Sequence, residues 1–205
     1  ILREICDRHN VVLIYDEIIN GFGRTGSMFA AQTFGIAPDI ICCGKAISNG
    51  TLPLAAMIAH KRMALAFEGE PKDNLNFAHG HTYANNPMGC AVGSSVVDEL
   101  VEHQLPQKAR VLGDYLATKL EGLAKLGVVG EVRGQGLLRG VDLISDGDRT
   151  KPFAKLGTTL KRTALRNGLI MRIDPTWFAV GPALTASKAD IDELTDLIEK
   201  SLQDA

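Results

Sequence analysis

The sequence has few aromatic residues, almost no net charge and no long apolar run. Of its 205 residues 5% are aromatic, and the net charge is −2. This balance argues against a nucleic-acid binder attracted by bulk charge, and no stretch of about 20 apolar residues predicts a membrane helix. The apolar share of 45% and the absence of a repeat exclude disordered, collagen-like and coiled-coil chains. We expect a folded chain with one large domain or two small ones.

Cysteine is scarce as well, and its spacing does not suit a metal site or a disulfide framework. No Cys-x-x-Cys pair occurs, and Cys42 and Cys43 are neighbours in an apolar run. The pattern argues against structural zinc. We expect buried, reduced thiols in a cytoplasmic protein, because free cysteine behaves as a small hydrophobic residue.

The sequence starts without a methionine or a signal peptide. Leu2, Ile5 and Cys6 share one helical face, so the first residues resemble the middle of a helix. We therefore expect the chain to be a fragment of a longer protein.

A change in composition near residue 100 predicts two domains, at 1–103 and 104–205. Residues 1–100 carry 7 Lys+Arg and 10 Asp+Glu, whereas residues 101–205 carry 15 and 14. Apolar, strand-like runs alternate with helical stretches in the first part, which is typical of an α/β fold with a parallel sheet covered on both faces. These runs are 11–15, 40–43 and 54–59.

The second part predicts a smaller α+β domain. A leucine stripe after Pro106 predicts a helix that ends at Gly127, and Ser187 resembles the N-cap of a last helix. Between them we expect a helix over 153–167 and strands at 128–133, 137–143, 169–172 and 177–180.

Two strand-like runs end in side chains that can take part in catalysis. Asp16 closes the run V-V-L-I-Y-D-E, and Lys45 follows I-I-C-C-G. Ligands bind at the carboxyl ends of parallel strands, where a partly desolvated carboxylate needs a cationic partner and a partly desolvated lysine becomes a nucleophile. The alternatives are an N-cap for Asp16 and a solvent-exposed lysine for Lys45.

The segment Gly21-Phe22-Gly23-Arg24-Thr25-Gly26 matches G-x-G-x-x-G but predicts no dinucleotide site. The preceding strand ends five residues early, and Ser27-Met28-Phe29 is a poor helix start. A dinucleotide site needs the strand to run into the first glycine and a helix to open on the third.

Two further segments are candidates for anion binding. His79-Gly80-His81-Thr82 lies in a polar loop before a helix, where a hydroxyl and backbone N–H groups suit a phosphate, although ordinary loop hydrogen bonding is the alternative. Arginines occur in R-G-Q-G-L-L-R-G at 133–140 and end L-I-M-R at Arg172. An arginine at a strand end can bind a carboxylate through two hydrogen bonds.

One cofactor accounts for these groups together. Pyridoxal 5′-phosphate needs a lysine that forms a Schiff base, an acid that keeps its ring nitrogen protonated, and a loop for its phosphate. Lys45, Asp16 and the loop around Thr82 supply these three groups.

The same motifs closely resemble those of class III pyridoxal-phosphate aminotransferases. The resemblance runs from V-V-L-I-Y-D-E-I-I-N-G-F-G-R-T-G to P-D-I-I-C-C-G-K-A-I-S-N-G-T-L-P-L-A-A, and continues in H-G-H-T-Y-x-x-N-P, R-G-x-G-L-x-x-G and G-P-A-L-T. It implies an α/β fold of type I, with part of a mostly parallel large-domain sheet and a C-terminal α+β small domain.

The resemblance also implies roles for individual residues. Lys45 would be the Schiff-base lysine and the base that moves a proton between the substrate carbon and the cofactor. Asp16 would face the pyridine nitrogen, and Ile18 would pack against the ring. Thr82 would bind the phosphate of the neighbouring subunit's cofactor, which implies a homodimer with its active site at the interface. Arg172 would hold a substrate carboxylate.

The resemblance covers all 205 residues but only about the C-terminal half of a family member. The family's N-terminal half normally supplies a phosphate cup, an aromatic residue on the ring and much of the pocket. A natural protein of only this length is therefore expected to bind cofactor weakly and not turn over, whereas a full-length protein should be active. Gly181-Pro182-Ala183-Leu184 stands where many members have a double proline, and we expect only local effects.

Transamination of an ω-amino acid or amine with pyruvate or 2-oxoglutarate is the leading hypothesis. Aminomutases, racemases and a decarboxylase share the scaffold and remain open. So do a cofactor-free lysine-dependent aldolase and an inactive partner module. Trp177 and Phe178 are candidates for substrate specificity.

Overall fold

The chain folds into two units, each with its own β-sheet. The computed structural model describes residues 1–205, except for the side chain of Pro71. One unit comprises Ile1–Phe22 and Ser27–Gln104, and the other comprises Gly23–Gly26 and Leu105–Ala205. The identification of 1–103 as part of a cofactor-binding domain and of 104–205 as a small domain stays a prediction.

The first unit contains a mixed three-stranded sheet in the order β1-β2-β3. β1 (Ile14–Asp16) is parallel to β2 (Ile40–Cys43), and β3 (Ala56–Ala59) is antiparallel to β2. Its helices are α1 (Leu2–Arg8), α2 (Ala30–Phe34), α3 (Lys61–Leu65) and α4 (Pro87–Glu102), with short 3-10 helices at Lys45–Ile47 and Pro71–Asp73. β2 has its predicted bounds, whereas β1 and β3 begin later than predicted.

The sheet of the first unit is not covered on both faces, contrary to the sequence-based expectation. Ile14, Met57 and Ile58 are each about half exposed. The expectation of buried thiols is also wrong in part, because Cys43 is buried but Cys90 is exposed. Burial, together with the nearby charge of Glu17, raises the pKa of the Cys43 thiol.

Asp39 ties the start of β2 to the rest of the first unit. Its Oδ2 accepts hydrogen bonds from Leu13 N at 2.8 Å and from the Arg3 guanidinium at 2.9 Å. Its Oδ1 accepts one from Arg62 on α3. The backbone hydrogen bond and the two arginines hold the pKa of Asp39 well below its usual range.

We expect Asp39→Asn to lower the free energy of unfolding at neutral pH. A lowered folded-state pKa stabilises the fold above the unfolded value of about 3.9, and this contribution disappears as the pH falls. The stability difference between wild type and Asp39→Asn should therefore shrink below about pH 4. Urea unfolding from pH 3 to 7 measures it, with exposed Asp98→Asn as the control. A difference independent of pH would contradict the ionic contribution.

The second unit consists of a sheet with helices packed against it. Its strands run β4-β5-β8-β7, all antiparallel, and β6 pairs with β5. The strands are β4 (Val129–Gln135), β5 (Leu138–Ser145), β6 (Asp148–Pro152), β7 (Arg172–Asp174) and β8 (Trp177–Val180). The helices are α5 (Leu105–Glu121), α6 (Ala154–Arg166) and α7 (Lys188–Gln203), with a 3-10 helix at Gly122–Leu126.

Most sequence signals in this unit lie where they were predicted. Ser187 caps α7 in a reciprocal capping box with Asp190, and Gly127 ends the 3-10 helix in the left-handed conformation. The strand expected at 169–172 instead covers Arg172–Asp174. Phe178 is fully buried in the core, so its candidacy as a specificity residue is wrong.

None of the helices in the described part of the chain has the length and apolarity to cross a membrane.

α5 approaches the β4–β5 turn so closely that no side chain fits between them. A Cβ on Gly113 would lie 2.3 Å from the carbonyl carbon of Gly136. Arg139 reinforces this contact, because its buried guanidinium donates to the carbonyl oxygens of Gly113 at 2.9 Å, Gly134 at 2.8 Å and Gly136 at 3.0 Å. Desolvation lowers the pKa of Arg139, and the three carbonyl groups compensate part of that cost.

We expect Gly113→Ala to destabilise the chain by roughly 1–3 kcal/mol, because the new methyl group forces α5 away from the turn. Gly122→Ala is the matched control, because a Cβ there meets nothing within 4 Å. Thermal or urea unfolding of both variants measures the difference. Equal stability of the two would contradict the close contact.

Candidate active site

Asp16 and Lys45 follow the carboxyl ends of two paired strands. β1 and β2 run parallel, with Asp16 in register with Cys42. Lys45 lies three residues beyond Cys42 and opens the 3-10 helix that follows β2. The parallel pairing therefore brings a carboxylate and an amine to the same edge of the sheet, as the sequence predicts.

Ile18 and Gly44 are in contact at this edge. A Cβ on Gly44 would lie 3.4 Å from Ile18 Cγ2, so the glycine leaves just enough room for the isoleucine side chain. Ile18 N in turn donates a hydrogen bond to Asp16 Oδ1 at 3.1 Å. Three of the five predicted site residues, Asp16, Ile18 and Lys45, thus lie at this edge, with Lys45 directly after Gly44 in the chain; we call these three residues the cluster.

Lys45 has a strained backbone. Its φ is +44°, in the left-handed region that side chains other than asparagine and aspartate seldom adopt. Such strain costs about 1–3 kcal/mol and is typical of functional sites. The turn from β2 directs Lys45 into solvent, next to the buried Gly44.

Neither polar side chain of the cluster is desolvated, contrary to the sequence-based expectation. Asp16 and Lys45 are both exposed in this chain. The N-cap alternative for Asp16 is close to what the structure shows, because its carboxylate accepts the backbone N–H two residues along the chain. This local bond leaves Oδ2 available to a ligand.

Glu17 is a residue that sequence reasoning left without a role. It is 1% exposed, and its two carboxylate oxygens accept hydrogen bonds from Ala30 N at 2.7 Å and Ala31 N at 2.8 Å. The carboxylate therefore satisfies the first N–H groups of α2. The second acid of Y-D-E was the available signal, because an acid directly after a buried strand needs hydrogen-bond donors.

We expect Glu17→Gln to destabilise the chain by about 1–3 kcal/mol, because an amide leaves one buried N–H of α2 without an acceptor. Glu68→Gln, on an exposed residue, is the control. Urea unfolding of both variants measures the effect. If Glu17→Gln were as stable as the control, the cap would contribute nothing.

The G-x-G-x-x-G segment is packed against its own chain. A Cβ on Gly26 would lie 2.9 Å from Arg110 Cβ, and one on Gly136 would lie 2.6 Å from Arg24 O. Arg24 donates from its guanidinium to Leu137 O and to Pro182 O. The next helix, α2, begins only at Ala30. These contacts leave the segment without the features of a phosphate-binding loop.

Thr82 lies in an exposed turn before α4. The N-terminus of α4 is capped by Asn86, whose Oδ1 accepts hydrogen bonds from Met88 N at 3.0 Å and Gly89 N at 3.3 Å. The expectation of free N–H groups at this helix start is therefore wrong for these two. The Thr82 hydroxyl itself faces solvent in this chain.

Arg172 belongs to the second unit and is the most exposed arginine among the predicted candidates. Its side chain is 70% exposed, and its Nε donates to Asp174 Oδ2 at 2.9 Å. The guanidinium lies over the Trp177 ring, 5.1 Å from its centre. Arg133 is likewise paired with an acid, Asp142, but its side chain is only 47% exposed, and Arg139 is buried on backbone carbonyl groups. Arg172 therefore remains the best carboxylate ligand of the three.

Comparison with known proteins identifies the family to which the chain belongs. A family model of class-III aminotransferases matches residues 1–202. The chain is 38% identical to the adenosylmethionine-8-amino-7-oxononanoate aminotransferase of Geobacter sulfurreducens, over 98% of this chain and 45% of that protein. It is 33% identical to the omega-amino acid–pyruvate aminotransferase of Pseudomonas putida, over 98% and 44%.

A solved structure shows the same fold. The chain superimposes on an amine transaminase from an uncultivated Pseudomonas species in its PLP-bound form with a TM-score of 0.93 and 35% identity. The alignment covers 99% of this chain and 47% of that one. The chain belongs to the class-III aminotransferases, and the predicted α/β fold of type I is confirmed. It spans less than half the length of these relatives.

Proposed function

We propose that this protein is a pyridoxal-phosphate-dependent aminotransferase that moves an amino group from an ω-amino acid or amine to a 2-oxo acid. Pyruvate and 2-oxoglutarate are the acceptors we favour. The observation that carries the proposal is the cluster at the edge of the first sheet, where Asp16 and Lys45 follow neighbouring parallel strands and Ile18 contacts Gly44. Family membership and the names of the relatives support it.

The residues of this cluster fit the cofactor chemically. Pyridoxal phosphate has an aldehyde that binds an amine, a ring nitrogen that pairs with an acid, and a flat apolar ring. Lys45 offers the amine, Asp16 has a free carboxylate oxygen, and Ile18 presents an apolar side chain above the buried Gly44. All three kinds of contact are thus available at one edge of the sheet.

Each residue then has a defined task. When bound, pyridoxal phosphate supplies an electron sink that makes a proton on the substrate's amine-bearing carbon acidic. Asp16 would hold a proton on the ring nitrogen through a charge-assisted hydrogen bond. Lys45 Nζ would anchor the cofactor and, once displaced by the substrate amine, carry the proton from the substrate carbon. Ile18 would fix the tilt of the ring.

Thr82 and Arg172 complete the proposal. The exposed Thr82 hydroxyl would bind the phosphate of the cofactor in a second copy of the chain, which makes a homodimer part of the proposed function. Arg172 would hold a substrate carboxylate through the terminal N–H groups of its guanidinium, because Asp174 engages only Nε.

Covalent trapping tests the central assignment. The chain is mixed with excess pyridoxal phosphate and reduced with borohydride, which fixes the cofactor to the amine it has bound, and the labelled peptide is mapped. We expect Lys45 to carry the label, Lys45→Ala to lose it, and Lys61→Ala to keep it, because Lys61 is an exposed lysine of the same unit. Label scattered over surface lysines would refute the role of Lys45, whereas a folded sample without any label would show that this chain does not build the cofactor site by itself.

The need for an acceptor separates transamination from the related reactions. For a sample that consumes an ω-amino acid in the presence of pyruvate, we expect this consumption to stop when the 2-oxo acid is omitted, because the amino group has no other destination. Amine consumption without any 2-oxo acid would assign the protein to the mutase, racemase or decarboxylase reactions instead.

A further inference from the structure

Arg172 is held by two neighbours on the β7–β8 hairpin. Asp174 accepts its Nε–H at 2.9 Å, and Trp177 lies beneath its guanidinium at 5.1 Å. Asp174 and Trp177 are paired directly across the hairpin. Residue 172 shares their face because side chains alternate along a strand. We call these three residues the hairpin cluster.

The turn that carries the hairpin cluster is fixed in place. Thr176 O accepts a hydrogen bond from Leu143 N on β5 at 2.8 Å. Pro175 O packs against Gly157 on α6, where a Cβ would lie only 2.2 Å from it. Both turn residues are therefore anchored through their backbone, which fixes the positions from which the side chains of the hairpin cluster extend.

The guanidinium retains donors that the hairpin cluster does not use. It carries five N–H donors, and within the described part of the chain Asp174 is the only carboxylate paired with it. Arg172 also borders a mainly apolar cavity of about 540 Å³, whose other walls include Ile170, Val180 and Pro182. A second acid, Asp190, lies in the same wall, and its Oδ2 accepts hydrogen bonds from Ser187. A carboxylate on an apolar stem suits this combination.

We propose that the hairpin cluster sets the affinity of Arg172 for carboxylate ligands, with Asp174 as an internal competitor. This inference rests on the proposed role of Arg172 and identifies what tunes it. An incoming carboxylate gains most from two parallel N–H···O bonds, and the charge of Asp174 opposes it and occupies one donor. Trp177 attracts the same guanidinium through its ring face, which holds Arg172 close to the hairpin.

The expected change in carboxylate affinity follows from the exposure of the two charged side chains. The Arg172 and Asp174 side chains are 70% and 35% exposed, and exposed pairs of this kind are weak. Removing the competing charge should therefore tighten carboxylate binding about two- to five-fold. Asp174→Asn is nearly isosteric, so the hairpin itself is retained.

The hairpin cluster contains its own reporter. Trp177 is the only tryptophan of the chain, so its fluorescence responds to movement of the guanidinium above it. The cofactor-free chain is titrated with glutarate at constant ionic strength, with sodium chloride as the reference titration. We expect the Trp177 fluorescence of the wild type to change saturably with glutarate. The Kd for glutarate should be about two- to five-fold lower in Asp174→Asn, and Arg172→Gln should show no saturable fluorescence change.

Arg149→Gln is the matched control, because it removes an exposed arginine from β6 in the same unit. It should titrate like the wild type. Equal or weaker glutarate binding by Asp174→Asn would overturn the competition while leaving the role of Arg172 intact. If glutarate caused the same fluorescence change in Arg172→Gln as in the wild type, or none in either, both the competition and the carboxylate-binding role of Arg172 would be overturned. This outcome is independent of which lysine pyridoxal phosphate labels.

Discussion

The parallel pairing of β1 with β2 is the constraint on which the candidate site depends. The carboxyl ends of neighbouring parallel strands lie at the same edge of a sheet, so the residues that follow the two strands are brought to that edge by the pairing alone. Asp39 fixes the opposite edge, where two arginines and a backbone N–H converge on its carboxylate. One end of the pair is thus held by ionic contacts, and the other end is left to present Asp16 and Lys45.

Much of this arrangement could be predicted from local sequence. The apolar run 40–43 gives β2 its observed bounds, and the capping box at Ser187 starts α7 as expected. Such signals are short-range, because they depend on residues within one turn or one strand. The placement of Lys45 beyond a buried glycine follows from the same run.

Other features depend on contacts that are distant in sequence. Gly113 and Gly136 are 23 residues apart in sequence, and the contact of Gly113 with the Gly136 backbone explains why residue 113 carries no side chain. The roles of Glu17 and Arg139 likewise depend on the N–H and carbonyl groups that the fold brings to them. The strand around Arg172 begins later than the sequence predicts for a related reason. Residues 169–171 are apolar, yet pairing with β8 begins only at Arg172, which lies opposite Ala179.

The loop Gly23–Gly26 has a consequence for how this chain can be divided. It belongs to the second unit although the residues on either side of it belong to the first. The polypeptide therefore passes between the two units three times, and no single cut separates them. An isolated segment beginning at Leu105 would lose the Arg24 guanidinium, leaving the carbonyl groups of Leu137 and Pro182 without the donor that serves them both. The second unit is therefore assembled from two separate stretches of sequence, and a segment cut at Leu105 is not a complete copy of it.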